Sequence, residues 1–187
     1  MGNVVIDMSM SLDGYIAAPN DTPGQGLGKD GMRLHNWMFD DPSVFERVFG
    51  DLTENTGAVV MGRRSYDNSI EEWGGKGPLG DVPCFVVTHR PIENATPIFT
   101  VIPDGIESAL AKAQDAAGDK VIGIMGANLD QQFLAAGLVD EIRIHVVDVL
   151  LGGGRRLFET LPQRVDLELT KLNRTGSVAH LDYRVLR

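Results

Sequence analysis

The stretch from Val121 to Arg156 constrains the fold more than any other: an apolar run, a small-residue turn at Gly126-Ala127, an amphipathic segment, then a second strand ending in Gly152-Gly153-Gly154. A strand that turns directly into a helix through small residues lets backbone N–H groups face a ligand closely, and such a helix start favours anions. The same residues also read as an ordinary strand-to-helix connection of an α/β domain. Within it Asn128 is the expected helix N-cap, Leu129 and Phe133 lie four apart, and Gly137 is the expected C-terminal stop.

The rest of the chain follows the same alternation. Val4, Ile6, Met8 and Met10 alternate with Val5, Asp7, Ser9 and Ser11 as a strand does, and Asp13-Gly14 supplies a turn. Pro19 to Gly31 is glycine- and proline-rich and reads as a long surface loop, of the kind that often forms a functional lid. Its Gly26-x-Gly28-x-x-Gly31 spells a dinucleotide fingerprint but neither leaves a strand nor opens a helix. After Asp40-Asp41-Pro42, the spacing of Val44, Phe45, Val48, Phe49 and Leu52 predicts a helix, followed by a strand over Ala58 to Met61. Cys84 to Thr88, Phe99 to Val101 and Val121 to Met125 read as short buried strands, with a helix over Gly105 to Ala117. Glu141 to Val149, Leu167 to Asn173 and Val178 to Leu186 alternate polar with apolar, so they are partly solvent-facing or partner-facing strands. The expected fold is one α/β domain over residues 1–187, a twisted, mixed, mainly parallel sheet flanked by helices, with an antiparallel edge.

A chain of 187 residues with 43% hydrophobic and 23% charged residues fits a single compact domain. Its net charge of -9 repels polyanions and argues against nucleic acid as a partner. Arg63-Arg64, His89-Arg90 and Arg155-Arg156 are local cationic exceptions able to meet a small anion. The single Cys84 sits among apolar neighbours and reads as a core thiol. No apolar run reaches the roughly 18 residues of a spanning helix, and no basic segment precedes an apolar one at the N-terminus. The expectation is a cytoplasmic protein with no membrane association.

Four pieces in order carry a resemblance: Ser11-Leu12-Asp13-Gly14-Tyr15-Ile16-Ala17, Met61-Gly62-Arg63-Arg64-Ser65-Tyr66, Val86-Val87-Thr88, and Leu138-Val139-Asp140-Glu141 leading to Leu150-Leu151-Gly152-Gly153-Gly154. Together they resemble the dihydrofolate reductase-like superfamily, in the branch of the C-terminal reductase domain of bifunctional riboflavin-biosynthesis proteins. The closing His180-Leu181-Asp182-Tyr183-Arg184 is similar to that family's last strand. The resemblance implies an oxidoreductase that uses NADPH. It places Gly62, Arg63, Arg64 and Ser65 at the cofactor phosphates, Thr88, His89 and Arg90 at the adenosine 2'-phosphate, and Gly126, Ala127, Asn128 and Leu129 at the glycine-rich turn. Ile16 and Ala17 fall beside the nicotinamide. Met125-Gly126 stands where the family has a glycine pair, so the methionine either enters the core or crowds the phosphates.

Each assignment has a plainer alternative. Arg63 and Arg64 can be a solvated pair, Thr88 to Arg90 a turn before Pro91, and Ile16 and Ala17 simple core. Asp13 and Asp41 are the candidate catalytic acids, although Asp41 also suits a helix start and Asp13 a turn. Trp37 and Phe39 can stack a flat heterocycle or serve as core. The substrate implied is a small pterin, folate, pyrimidine-like or carbonyl compound. The alternatives are the ribosylamino-pyrimidine of riboflavin synthesis, or an NADPH-binding sensor without turnover. His35, His89, His145 and His180 are scattered, so no metal site is expected, and His145 reads as a surface or interface residue. The polar-apolar C-terminal strands suit a homodimer edge.

Overall fold

The computed structural model describes residues 2–159 and 161–187. Eight strands form one sheet: β1 (Val4–Ser11), β3 (Thr56–Gly62), β4 (Cys84–Val87), β5 (Phe99–Ile102), β6 (Val121–Met125), β7 (Glu141–Val147), β9 (Leu167–Thr175) and β10 (Val178–Val185). Their order is β5-β4-β3-β6-β1-β7-β10-β9. The first six strands in that order run parallel, and β10 and β9 add the antiparallel edge. Two short strands missed in the sequence, β2 (Tyr15–Ala17) and β8 (Arg155–Arg156), pair antiparallel in a separate ribbon.

Alternation along the strands sorts side chains onto two faces. On one, Ile6, Val60, Ile122, Ile124, Ile142 and Ile144 meet the apolar sides of α4 (Ile106–Ala117) and α5 (Ala127–Ala135). Gly57 makes the α4 contact possible, since a Cβ there would lie 2.6 Å from the Ala117 Cα. On the other, Val59, Met61, Cys84, Val86 and Phe99 gather around Tyr66, whose ring meets Phe99 edge-on at 4.9 Å. Cys84 is buried as expected, and desolvation pushes its thiol up to about 12.

The helix after Asp41 is α2 (Pro42–Asn55), and Asp41 is its N-cap, accepting from the Ser43 amide at 2.9 Å. Its apolar stripe is present, yet none of its residues is fully buried. Phe45 stacks on Phe49 at 5.1 Å and on Phe39 of α1 (Asn36–Phe39) at 5.4 Å, so these rings cover one another rather than the core.

Asn128 does not cap α5: the N-cap is Gly126, and the Asn128 side chain accepts from Gln132 instead. At φ 110° Gly126 turns the chain tightly enough for the helix to begin with Ala127. One turn on, Asp130 is completely buried, and among the described residues both its carboxylate oxygens lack a partner. Burial raises its pKa well above the usual carboxylate range. A raised folded-state pKa means that stability present below the unfolded value is lost as pH rises, so at neutral pH this side chain is a cost. Asp130→Ala should therefore stabilise the protein by about 2 kcal/mol at pH 7, with the gain shrinking toward pH 4. Thermal melts at the two pH values check this, and an unchanged or lower melting point at pH 7 would contradict it.

The β9 edge is exposed. Leu167, Leu169 and Leu172 are 42%, 50% and 62% accessible, and a register irregularity between Asp182 and Tyr183 keeps all three on one face. Among the described residues no helix is long and apolar enough to cross a membrane.

Candidate active site

Parallel strands deliver their carboxyl ends to one rim, and ligands of open α/β sheets bind in the crevice outside those ends. Here the rim brings together the β1–β2 turn, the β3 end at Gly62, the β4 end at Thr88 and the β6 end at Gly126. Helix α3 (Arg63–Ser69) leaves β3 directly, so Arg63, Arg64 and Ser65 form its first turn. Gly126 stands against that turn, and a Cβ on it would lie 2.5 Å from the Ser65 hydroxyl oxygen. A side chain at residue 126 would collide with Ser65, so glycine is what lets the start of α5 approach α3 this closely. Met125 packs against the Val59–Tyr66 cluster, so its side chain enters the core.

The two arginines have different roles. Arg63 is a strut: it donates to Asp67 at 2.6 Å and to the carbonyls of Arg90 and Pro91 at 3.1 and 2.9 Å, tying α3 to the turn after β4. In that turn Thr88 is buried, and its hydroxyl accepts from the Arg90 amide at 3.1 Å. His89 and Arg90 are exposed. Arg64 instead reaches the loop over 19–31, where it grips Asp21 with Nε at 2.7 Å and Nη2 at 2.9 Å. The loop lies across the end of α3, with the Gly24 amide on the Asn68 carbonyl. Its glycines serve close packing, since a Cβ on Gly28 would collide with the Ala18 carbonyl and one on Gly26 would lie 2.8 Å from the Ser69 hydroxyl.

Ile16 and Ala17 are buried on β2, with Ile16 in the main core. Asp13 ties the turns together by accepting from Ser11 Oγ at 2.6 Å and from the amides of Leu151 and Gly152 at 3.1 and 2.7 Å. The Ser11 bond leads these contacts in holding its carboxyl below the usual range.

Three of the four histidines, His35, His145 and His180, converge, which the sequence did not reveal. Ser9, His145 and His180 stand in register across β1, β7 and β10. His145 Nε2 is 2.9 Å from Asp7 Oδ1, and its Nδ1 is 2.7 Å from Nδ1 of His180. Trp37 covers both rings at 4.9 and 4.8 Å and donates to Ser9 Oγ at 3.1 Å. With Asp7 ionised, His145 donates from Nε2 and accepts at Nδ1, which makes His180 the donor there and leaves its Nε2 as a bare acceptor. That atom is buried with no partner among the described residues. Burial first, then the nearby His145 and Arg47, lowers His180 to about 4 against the pull of Asp7. His35, behind Trp37 in the chain, is lowered to about 4 by burial and by His145. His145 is thus part of a hydrogen-bonded chain, a correction to its reading as a surface residue. The available signal was the polar phase of two strands, Asp7 on one and His145 on the other, in a sheet of mostly buried parallel strands.

The model of the RibD C-terminal domain family matches residues 3–181. The chain belongs to that family. It is 26% identical over 179 residues, 96% of this chain and 95% of the other, to the uncharacterized protein YwjB of Bacillus subtilis. A shorter match, 34% over 120 residues, covers 60% of this chain and 56% of dihydrofolate reductase HdrB of Haloferax volcanii. Among solved structures, a putative riboflavin biosynthesis protein from Shewanella superposes over 100% of both chains with a TM-score of 0.78 and 26% identity. RibD of Acinetobacter baumannii superposes over all of this chain and 58% of its own, with a TM-score of 0.64 and 17% identity, a likeness of fold. The expected fold and family therefore hold.

Proposed function

We propose that the domain transfers a hydride from NADPH to a small heterocyclic substrate of the pterin, folate or pyrimidine kind, or to a carbonyl compound. The observation that carries this reading is the convergence of the β3, β4 and β6 ends with the first turns of α3 and α5 at one rim of the sheet, where Gly126 lets α5 start close against Ser65. NADPH, when bound, supplies the hydride. The chain's own residues bind and orient it: Gly62 to Ser65 and Gly126 to Leu129 at the pyrophosphate, Thr88 to Arg90 at the 2'-phosphate, and Ile16 with Ala17 as the apolar wall that excludes water. Asp7, His145 and His180 supply exchangeable protons on the β1–β7 side. The ribosylamino-pyrimidine of riboflavin synthesis is a second candidate, supported by the full-length likeness to the Shewanella protein. The reading includes a cytoplasmic homodimer joined through the leucine face of β9.

Titration with NADPH and NADH, followed by thermal shift at fixed ionic strength, tests the cofactor. NADPH at 100 times its dissociation constant should add about 2.7 kcal/mol of stability, with a smaller effect from NADH at equal concentration. No shift with either would reject the reading, and a shift without turnover of any substrate would favour a sensor. Asp7→Asn should keep the nucleotide shift and lose turnover; full turnover would leave the histidine cluster structural. Sedimentation of the same preparation should give twice the chain mass.

A further inference from the structure

Asp21 is held as a bound anion would be. Arg64 offers it a two-pronged grip through Nε and Nη2, and the same Nη2 reaches the Asp21 carbonyl at 3.1 Å. Asn68 donates to Oδ2 at 3.2 Å, and Arg155 Nη2 approaches the same oxygen at 3.5 Å from the opposite side of the rim. The carboxylate side chain is only 13% exposed. Its burial favours the neutral form, but the Arg64 bond and the charges of Arg155 and Arg64 outweigh this and hold its pKa below the usual range. Arg155 is not satisfied by this one acceptor, because its Nε is buried and has no partner among the described residues. Two guanidinium groups therefore converge on a single carboxylate that has fewer acceptor oxygens than they have donors. A phosphate group offers more oxygens and more charge in a similar space.

We propose that Arg64, Arg155 and Asn68 form a phosphate-binding site and that Asp21 is its internal stand-in, which an incoming phosphate must displace. Arg64 and Asn68 stand on α3 and Arg155 on β8, whereas their present partner Asp21 stands on the 19–31 loop. The carboxylate keeps the two cations apart in energy terms when no ligand is present, and it sets the affinity below what the arginines alone would give. The proposal rests on the reductase reading only for the source of the phosphate, which is either the cofactor pyrophosphate or a phosphate ester on the substrate.

The test compares the full chain with Asp21→Asn, Asp21→Ser and Arg155→Gln, by calorimetric titration with inorganic pyrophosphate, ribose 5-phosphate and NADPH. Both Asp21 variants should bind at least one of these about tenfold more tightly than the unmodified chain, and Arg155→Gln should bind it more weakly. A gain for pyrophosphate and NADPH assigns the site to the cofactor, and a gain for ribose 5-phosphate alone assigns it to the substrate. A variant that merely loosens the loop would lose affinity, so the direction of the change is decisive. Equal or weaker binding of all three ligands by both Asp21 variants overturns the proposal. If neither the unmodified chain nor the variants bind NADPH, while ribose 5-phosphate binding rises, the cofactor reading fails and the site stands.

Discussion

Gly154→Ala should destabilise the protein by about 4 kcal/mol and lower its melting temperature by roughly 10 °C. Gly154 has φ 118°, a region closed to alanine without strain, and a Cβ there would collide with the Ala17 carbonyl oxygen. The colliding atom is backbone in the β2–β8 ribbon, so no rotamer change relieves it. Either β8 moves away from β2 or the chain twists out of its turn. Both alternatives also shift Arg155, the next residue, away from Asp21. Gly152→Ala is the control: its φ is 69°, but nothing lies within 4 Å of an added Cβ. It should cost only about 1 kcal/mol. Denaturant unfolding of the two variants separates the predictions, and equal losses would show that backbone conformation alone sets the requirement.

Acidification between pH 6.5 and 4 should cost about 3 kcal/mol through His35 alone. In the folded protein this ring stays neutral down to about 4, because burial and the nearby His145 oppose its charging. The unfolded chain takes up that proton near 6.5, so below this pH the unfolded state binds more protons and gains on the folded one. The stability is complete above 6.5 and lost as pH falls. Asp130 acts in the opposite sense over the same range, since its penalty eases as acid neutralises the carboxyl. The two contributions are separated by measuring His35→Leu and Asp130→Ala across the range. His35→Leu should flatten the acid slope of the melting temperature, and an unchanged slope would refute the assignment. Asp130→Ala should steepen it.

The regular part of this fold was legible because its signals are local. Period-two alternation marked β1, apolar runs marked β4, β5 and β6, and helical spacing marked α2 and α4. Spacing did not disclose how far α2 is buried, because its phenylalanines recur as a core face would but stack on each other and on Phe39. Asn128 was misread because capping preference favours asparagine, whereas the backbone freedom of Gly126 moved the helix start two residues earlier. The β2–β8 ribbon is too short to show any period. The placement of candidate residues at the sheet rim was legible where they are contiguous, as in the turn from β3 into α3 at Gly62 to Ser65. It was hidden where partners are remote: Asp7 meets His145, and Asp21 meets Arg64 and Arg155, only after the sheet has assembled. The sequence also could not divide labour between Arg63 and Arg64, since identical side chains on adjacent helix positions point to different partners.

The strand order has a consequence for how this chain must be made. β1 lies between β6 and β7, so during synthesis β1 finds neither neighbour until β6 has been made. Val121 follows Ser11 by 110 positions, a wait of roughly 5–25 s at ordinary elongation rates. During that interval an apolar strand with two unpaired edges must be kept from other chains. Synthesis arrested before Val121 would leave β1 without its neighbours, and nascent chains of that length are the ones for a chaperone to hold.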